Sequence, residues 1–280
     1  MSRFQPEQLL LGCAVDAAVL LAEPASASAA SELLASLAVG PTSLAATAAL
    51  SVALPGLRIE KGAPTAAVCD LNVTLDDSLV RSFVVTPPGG VRGLRELRAT
   101  AAARFAALYG EPAEQWLLVA DWHALEPFVA SALPRALYQA LGQLAASNGW
   151  RLDSVSPALV RVYNRVCDSI PANGWLLVGF GQTLTLLATR DDRVVALRSL
   201  RLSDAPDLVE LETLLTQELL RVPASADRNQ RRSLLWAGAA DWLPAATSLA
   251  GLESRTMVIR HPAHAGASAA GQLALAGRRR

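Results

Sequence analysis

The sequence predicts an α/β protein with mixed sheets flanked by helices, built as two duplicated lobes that follow one another along the chain. Short apolar runs alternate with segments of helical periodicity, which is typical of α/β folds. Two apolar runs resemble each other, because Gly12 aligns with Gly179 when Leu9 is placed over Leu176. Chance similarity between apolar runs is the alternative to duplication. We place the first lobe at 1–155 and the second at 156–280.

The composition indicates a large core and no strong net charge. Hydrophobic residues make up 52% of the 280 residues, and 25 basic side chains balance 25 acidic ones. This balance removes the basic surface of a nucleic-acid-binding protein, so we expect no nucleic-acid partner. The longest apolar segment, Leu9 to Ala22, is interrupted by Asp16, and we expect neither a membrane-spanning helix nor a secretory signal.

The small numbers of lysine, cysteine and histidine residues argue against several kinds of catalytic or metal site. Lys61 is the only lysine, and no G-x-x-x-x-G-K-[ST] pattern surrounds it, so P-loop and Schiff-base chemistry are not expected. The three cysteines form no C-x-x-C pair, and we expect reduced thiols. His261 and His264 could hold a metal together, although an exposed loop is the simpler interpretation.

The first lobe begins with an apolar strand over Gln8 to Glu23. An Ala/Ser-rich segment, 24–54, follows, and its leucines are sufficient for a short helix and a strand, with low-complexity disorder as the alternative. Two alternating runs, Ala67 to Leu75 and Leu79 to Val85, flank Asp76-Asp77-Ser78. This arrangement predicts a hairpin.

The rest of the first lobe alternates between helix and strand. Leu94 to Tyr109 carries a helical apolar stripe and ends at Gly110. The run Trp116 to Asp121 predicts a buried strand, after which two prolines interrupt a helical pattern over 123–147. A short strand comes next, and a helix begins after Ser156-Pro157.

The second lobe begins with residues 175–201, a run that predicts two or three strands with a glycine-rich turn. An amphipathic helix over 203–222 follows. The sequence then predicts a strand at 234–239, a helix at 241–252 and a last strand at 255–263.

Five pieces of the sequence match one known family in the same order along the chain. They are LLGCAVDAAVLL, the segment from Val73 to Gly110, WLLVAD with the segment that follows it, the run from Trp175 to Leu202, and LLWAGAADWLPAATSLAGL with the final GQLALAG. The sequence resembles the actin-like assembly proteins of type IV pilus machines (PilM) and the cytoplasmic domain of the type II secretion protein GspL. The resemblance implies an actin-like, ribonuclease H-like bilobal fold, in which each lobe opens with a phosphate-binding hairpin.

The acidic residues that this family uses for nucleotide chemistry are missing at the matching positions. Each hairpin of the family carries Asp-x-Gly, whose carboxylate orients Mg²⁺ and the attacking water. In the first hairpin Ala14 stands in the acidic position and Asp16 in the glycine position. In the second hairpin Gly179 takes the acidic position, and Gly181 keeps the glycine. Asp16 as a displaced metal ligand remains an alternative.

The resemblance therefore implies a degenerate nucleotide pocket and no catalytic residues. Its positions are Gly12, Ala14, Asp16, Gly179, Gly181, Gln182, Ala237 and Gly238. Asp121, Asp204 and Asp207 could replace the lost carboxylates, although helix caps and loop charges are the simpler interpretation. We expect no resident metal or cofactor, with weak residual ATP and Mg²⁺ binding as the alternative.

The resemblance also implies a partner. PilM-type proteins hold the cytoplasmic N-terminal segment of a PilN-like inner-membrane protein and link it to the motor ATPase. Arg81, Phe83 and Val85 lie in the segment that resembles the groove for this peptide, with ordinary sheet core as the alternative for Phe83 and Val85. We expect a cytoplasmic scaffold that is peripheral to the inner membrane through its partners. An active actin-like ATPase or kinase with shifted metal ligands, and a binding module of unrelated role, are the rival hypotheses.

Overall fold

The structure is a computed structural model that describes residues 6–24, 31–39, 46–57, 59, 69–221, 232–259 and 268–278. The chain forms two compact units. Unit 1 contains residues 1–80, 133–161 and 260–280, and unit 2 contains residues 81–132 and 162–259. The units interleave along the chain, because residues 81–132 pack in unit 2, whereas the predicted lobes are consecutive. The lobe boundary at residue 155 stays a prediction.

The elements are numbered in chain order. The strands of the described residues are β1 (Pro6–Cys13), β2 (Ala17–Pro24), β3 (Glu32–Ala38), β4 (Asp70–Leu75), β5 (Arg81–Val85), β6 (Trp116–Ala120), β7 (Phe128–Pro134), β8 (Arg151–Pro157), β9 (Gly174–Phe180), β10 (Thr183–Arg190), β11 (Arg193–Arg201), β12 (Ser233–Gly238), β13 (Ser248–Leu249) and β14 (Leu252–Val258). The helices are α1 (Ala46–Ala53), α2 (Leu94–Tyr109), α3 (Arg135–Ser147), α4 (Ala158–Val166), α5 (Leu208–Arg221) and α6 (Ala269–Ala276).

Unit 1 is built on a mixed sheet with the strand order β3-β2-β1-β4-β8. The strands β1, β2 and β3 form an antiparallel meander, and β4 and β8 run parallel to β1. Alternate residues of β1 point to opposite faces of the sheet. Leu9 and Leu11 enter a core with Leu50 of α1 and Leu137 of α3. On the other face, α6 lies so close to β1 that a Cβ added to Gly12 would meet a helix backbone atom at 1.9 Å.

A row of hydrogen bonds crosses the unit 1 sheet and links four of its polar side chains to one another and to Arg278. Asn72, which is 1% exposed, donates to Oε1 of Gln8 at 3.1 Å and accepts from Oγ of Ser154 at 2.6 Å. Gln8 in turn donates to Glu23, and Glu23 accepts from Arg278 just beyond α6. Because unpaired buried polar groups destabilise a fold, this row makes polar positions compatible with a covered sheet face.

The larger sheet of unit 2 repeats the topology of the unit 1 sheet. Its strand order is β11-β10-β9-β12-β14-β13, with an antiparallel meander of β9, β10 and β11 followed by the parallel strands β12 and β14. Gly12 and Gly179 are each the penultimate residue of the central strand, β1 or β9. The predicted internal similarity is therefore confirmed at the level of strand order, direction and glycine position.

Unit 2 also contains a three-stranded sheet, with the order β5-β7-β6, that packs against α2. The helix has its predicted bounds and ends at Gly110, whose φ of 67° is left-handed and favours glycine. Leu97, Ala101 and Phe105 of its apolar stripe are buried on this sheet, whereas Leu94 and Leu108 at the ends of the stripe stay partly exposed.

Two sequence predictions in the first half of the chain are wrong. The run from Gln8 to Glu23 is not the one strand that its apolar pattern predicts. It is two antiparallel strands joined by a turn, which is the hairpin that the family resemblance implies. The runs on either side of Asp76 do not form a hairpin, because β4 pairs with β1 and β8 whereas β5 pairs with β7. The turn residues between them form a short 3₁₀ turn that lets the chain leave one sheet for another.

Two predicted helices are also wrong in whole or in part. Residues 128–134, within the predicted helix over 123–147, form β7 because their alternate side chains, beginning with Phe128, face the α2 core. Residues 241–252 form turns and the short β13 instead of a helix. No helix among the described residues has both the length and the apolar character needed to cross a membrane.

The close approach of α6 to β1 gives a first testable prediction. In a Gly12→Ala variant the new methyl group would overlap the carbonyl oxygen of Ala270, 1.9 Å from the ideal Cβ, and the backbone nitrogen of Ala274, at 2.3 Å. We expect the free energy of unfolding, measured by urea denaturation, to fall by about 1–3 kcal/mol. The matched control is Gly142→Ala in α3, where the Cβ meets open space. It should stabilise the chain by up to about 1 kcal/mol. Equal effects in the two variants would contradict the packing argument.

Candidate functional site

The first predicted hairpin turn, between β1 and β2, is closed by the chain's own backbone. The N–H of Ala14 donates to the carbonyl of Ala17 at 2.8 Å, and Ala14 is buried. Asp16 is exposed, and its carbonyl accepts the N–H of Val39 at 2.6 Å. Burial raises the pKa of the Cys13 thiol, just before the turn, to about 12. This thiol is therefore protonated at neutral pH and is a poor nucleophile and a poor metal ligand.

Two buried carboxylates, Asp76 and Asp77, lie beside this turn at the carboxyl end of β4. The N–H of Asp76 donates to the carbonyl of Cys13 at 2.8 Å, and its own carboxylate accepts from the N–H of Ser78 at 2.8 Å. Both oxygens of Asp77 accept the N–H of Leu159, at 3.0 and 3.1 Å. Asp77 therefore caps α4, and its charge sits where a helix N-terminus would otherwise favour an anion.

The sequence interpretation missed this role of Asp77. The Asp-Asp-Ser stretch resembles hairpin chemistry, and the partner that uses the carboxylate lies more than eighty residues away in sequence. The available signal was Ser156-Pro157, which correctly marks the start of α4 but not the side chain that caps it.

The glycine turn of the second hairpin, between β9 and β10, is covered by Trp242. The indole Nε1–H donates to the carbonyl of Gly181 at 2.6 Å. A Cβ added to Gly179 would meet the Trp242 ring at 2.8 Å and Leu243 at 3.0 Å. Gly179 is thus a point of close packing for the chain's own side chains. Gln182, the last turn residue, is exposed and accepts the N–H of Leu202 at 2.8 Å through its carbonyl.

The turn after β12, which contains the predicted pocket positions Ala237 and Gly238, is bonded to the same glycine. Ala237 is fully buried within β12. Gly238 has a φ of 134°, and a Cβ there would lie 2.1 Å from the carbonyl oxygen of Gly179. That oxygen also accepts the N–H groups of Ala239 and Ala240, at 3.0 and 3.1 Å. Backbone donors that could face an anion are therefore directed to a protein carbonyl.

The structure thus brings together Gly179, Gly181 and Gly238 in unit 2, and Gly12, Ala14 and Asp16 in unit 1. Among the described residues, no group of three or more His, Cys, Asp or Glu side chains is placed to hold a metal ion. Lys61, His261 and His264 lie outside the described residues.

The three aspartates that could replace the lost carboxylates of the hairpins lie in loops and at the start of a helix. Asp121 and Asp204 are exposed in loops. Asp207 accepts the N–H of Glu210 at 2.8 Å, while Glu210 accepts the N–H of Asp207 at 3.1 Å. This reciprocal pair is a capping box at the start of α5, which matches the helix-cap interpretation.

The predicted peptide-binding residues on β5 have different environments. Phe83 and Val85 are 2% and 0% exposed and belong to the core between the three-stranded sheet and α2, so their side chains offer no surface to a partner. Phe83 and Val85 therefore have the role of ordinary sheet core, which the sequence analysis gave as the alternative to peptide binding. Arg81 is partly exposed, with its guanidinium over the rings of Tyr109 and Trp116 at 5.5 and 6.0 Å. Its role in peptide binding stays a prediction.

Comparison with protein-family models and with curated proteins finds no match. Among solved structures, the chain is similar to a chain of the PilM-PilN type IV pilus biogenesis complex, with 16% identity, 96% of both chains covered and a TM-score of 0.57. It is also similar to a Bacteroides thetaiotaomicron protein of unknown function with an actin-like ATPase fold, at 12% identity, 86% coverage of both chains and a TM-score of 0.52.

A further similar structure is the cytoplasmic domain of EpsL, an inner membrane component of the type II secretion system of Vibrio cholerae. The identity is 14%, the coverage is 97% of this chain and 90% of that chain, and the TM-score is 0.49. The repeated strand order of the two units and the likeness to the PilM-PilN complex chain and to the Bacteroides protein lead to the same result. The chain has the actin-like ATPase fold.

Proposed function

We propose that this protein is a non-catalytic scaffold of a type IV pilus or related secretion machine. It holds the cytoplasmic N-terminal segment of a PilN-like inner-membrane protein and links that partner to the assembly motor ATPase. It works in the cytoplasm, at the inner membrane, through these partners. The likeness to a chain of the PilM-PilN complex over 96% of both chains supports this proposal.

The observation that carries the non-catalytic part of the proposal is the covered glycine turn of unit 2. Phosphate-binding turns act through backbone N–H groups that face open space. Here the Trp242 ring lies against Gly179, and the N–H groups of Ala239 and Ala240 are bonded to the Gly179 carbonyl. A phosphate at this turn would have to displace an indole and compete with two backbone hydrogen bonds.

The residues in and beside the first hairpin support the same proposal. Ala14 has no oxygen ligand for magnesium in its side chain. The carboxylate of Asp77 caps α4 and adds negative charge at the end of β4, which opposes the approach of a phosphate. Within this turn, the carboxylate on which the rival ATPase or kinase hypothesis would rely is that of Asp16, which is exposed.

The non-catalytic proposal is tested by turnover assays with Mg-ATP. We expect the purified chain to release phosphate no faster than a blank without protein, because both acidic positions have lost their carboxylates. An Asp16→Asn variant should give the same result. Turnover by the wild-type chain that disappears in the Asp16→Asn variant would contradict the proposal and favour the ATPase with shifted metal ligands.

The role of Trp242 is tested by two substitutions of graded size. Trp242→Phe keeps an aromatic ring against Gly179 but loses the hydrogen bond to Gly181, and should lower the free energy of unfolding by about 1 kcal/mol. Trp242→Ala also removes the ring and should lower it by about 3 kcal/mol. Urea denaturation measures both values. The control is Trp122→Phe, which makes the same substitution at a ring that packs on Phe128 and lies under Arg98, away from the glycine turn. Wild-type stability in both Trp242 variants would show that the indole does not hold the turn.

The partner proposal is tested by affinity capture. Cytoplasmic N-terminal segments of the inner-membrane proteins encoded beside this chain are synthesised and immobilised, together with scrambled versions of each. We expect one native segment to retain the folded chain and its scrambled version to release it. Failure of every native segment, with a chain that is folded by circular dichroism, would contradict the scaffold proposal.

A further inference from the structure

The strand β6 is an edge strand that lacks the usual features that protect sheet edges. Among the residues that the structure describes, the three-stranded sheet has the order β5-β7-β6, so β5 and β6 are its two outer strands. Natural proteins protect such edges with lysines, prolines, charges or bulges, because unpaired backbone groups attract other strands. The sequence of β6, WLLVA, contains no charge and no proline. The other outer strand, β5, lies against β11 of the same unit.

The side chains of β6 leave apolar surface at this edge. Trp116 is buried, and Leu118 and Ala120 pack on the α2 core, so one face of the strand is satisfied within the unit. Val119 points away from that core and is 58% exposed. In the loop after the strand, Leu125 is 89% exposed. An added strand would cover the outer backbone groups of β6 and exposed apolar side chains such as Val119.

Acidic residues occur on both sides of β6. The segment from Gly110 to Pro134 contains four acidic residues and no lysine or arginine. Two of the four lie near arginines from outside the segment: Glu126 pairs with Arg193 at 2.5 Å, and Glu111 lies 4.0 Å from Arg81. Glu114, before the strand, and Asp121, after it, are exposed to solvent.

We propose that β6 binds an extended apolar segment with a lysine or arginine at each end, which adds to the sheet as a further strand. Main-chain hydrogen bonds supply affinity in this mode of recognition, and the flanking charges select the partner. Cytoplasmic segments next to membrane-spanning helices are rich in lysine and arginine. The source of the segment is therefore the cytoplasmic part of an inner-membrane protein. This assignment of the source rests on the proposed function, whereas the chemistry of the edge does not.

The proposal is tested on the full chain with two fluorescein-labelled peptides. Both contain the same alternating threonine and valine residues, but one has lysine at each end and the other has glutamate. We expect fluorescence anisotropy to show about tenfold tighter binding of the lysine-ended peptide. Its ends attract Glu114 and Asp121, whereas glutamate ends would be repelled by them. A Glu114→Gln, Asp121→Asn double variant should lose most of this preference. Equal affinity of the wild-type chain for the two peptides would overturn the proposal.

The position of the bound peptide is tested by a charge placed on the edge strand. Val119→Lys should weaken binding of the lysine-ended peptide about tenfold, because a lysine on an edge strand opposes strand addition. The matched control is Val258→Lys at the end of β14, since Val258 is 59% exposed and Val119 is 58% exposed. In the wild-type chain, the peptide should also slow hydrogen exchange at the β6 amides but not at those of β13. Equal binding by the two lysine variants, or protection elsewhere, would overturn the assignment to β6.

The two proposals fail in distinguishable ways. If a native membrane-protein segment is captured and Val119→Lys retains it fully, the scaffold function stands and the β6 site is wrong. If the lysine-ended peptide binds at β6 but no native segment is captured, the edge site stands and the scaffold function is wrong.

Discussion

Close approach at two glycines is the constraint on which both large sheets depend. Gly12 and Gly179 occupy the penultimate position of the central strand in their sheets, and neither position has room for a side chain. At Gly12 the backbone of α6 fills the space, and at Gly179 the Trp242 ring fills it. Because backbone atoms cannot move away as a flexible side chain can, glycine at position 12 is a steric requirement for the placement of α6.

The same constraint links packing to the proposed loss of nucleotide chemistry. Glycine lacks a Cβ and therefore allows either a phosphate or an indole ring to approach the backbone closely. In unit 2 the neighbour is the chain itself, since the Gly179 carbonyl accepts two N–H groups and the Gly181 carbonyl accepts the indole N–H. In unit 1 the α4 N-terminus receives the carboxylate of Asp77. Retaining the architecture therefore does not require an exogenous anion at either turn.

The sheets also differ in how their edges are used. Five strands of the unit 2 sheet repeat the unit 1 order, whereas β5, β6 and β7 form a separate small sheet against α2. The core between this sheet and α2 contains the aromatic residues Phe83, Phe105 and Trp116. The ring centroid of Phe105 lies within 6.0 Å of the centroids of the other two rings. This cluster holds one face of β6 against α2, and the proposed strand addition uses the backbone edge of the same strand.

Local sequence patterns determined α2 with its Gly110 end, the strand character of 175–201, and the alignment of Gly12 with Gly179. These features depend on periodicity and on glycine spacing, which nearby residues specify. Tertiary structure alone decided that β4 and β5 belong to different sheets, that β7 is a strand, that Asp77 caps α4, and that Trp242 covers the glycine turn of unit 2. The physical reason is that a backbone or side-chain donor is satisfied equally well by near and distant acceptors. Only long-range packing selects which acceptor it meets.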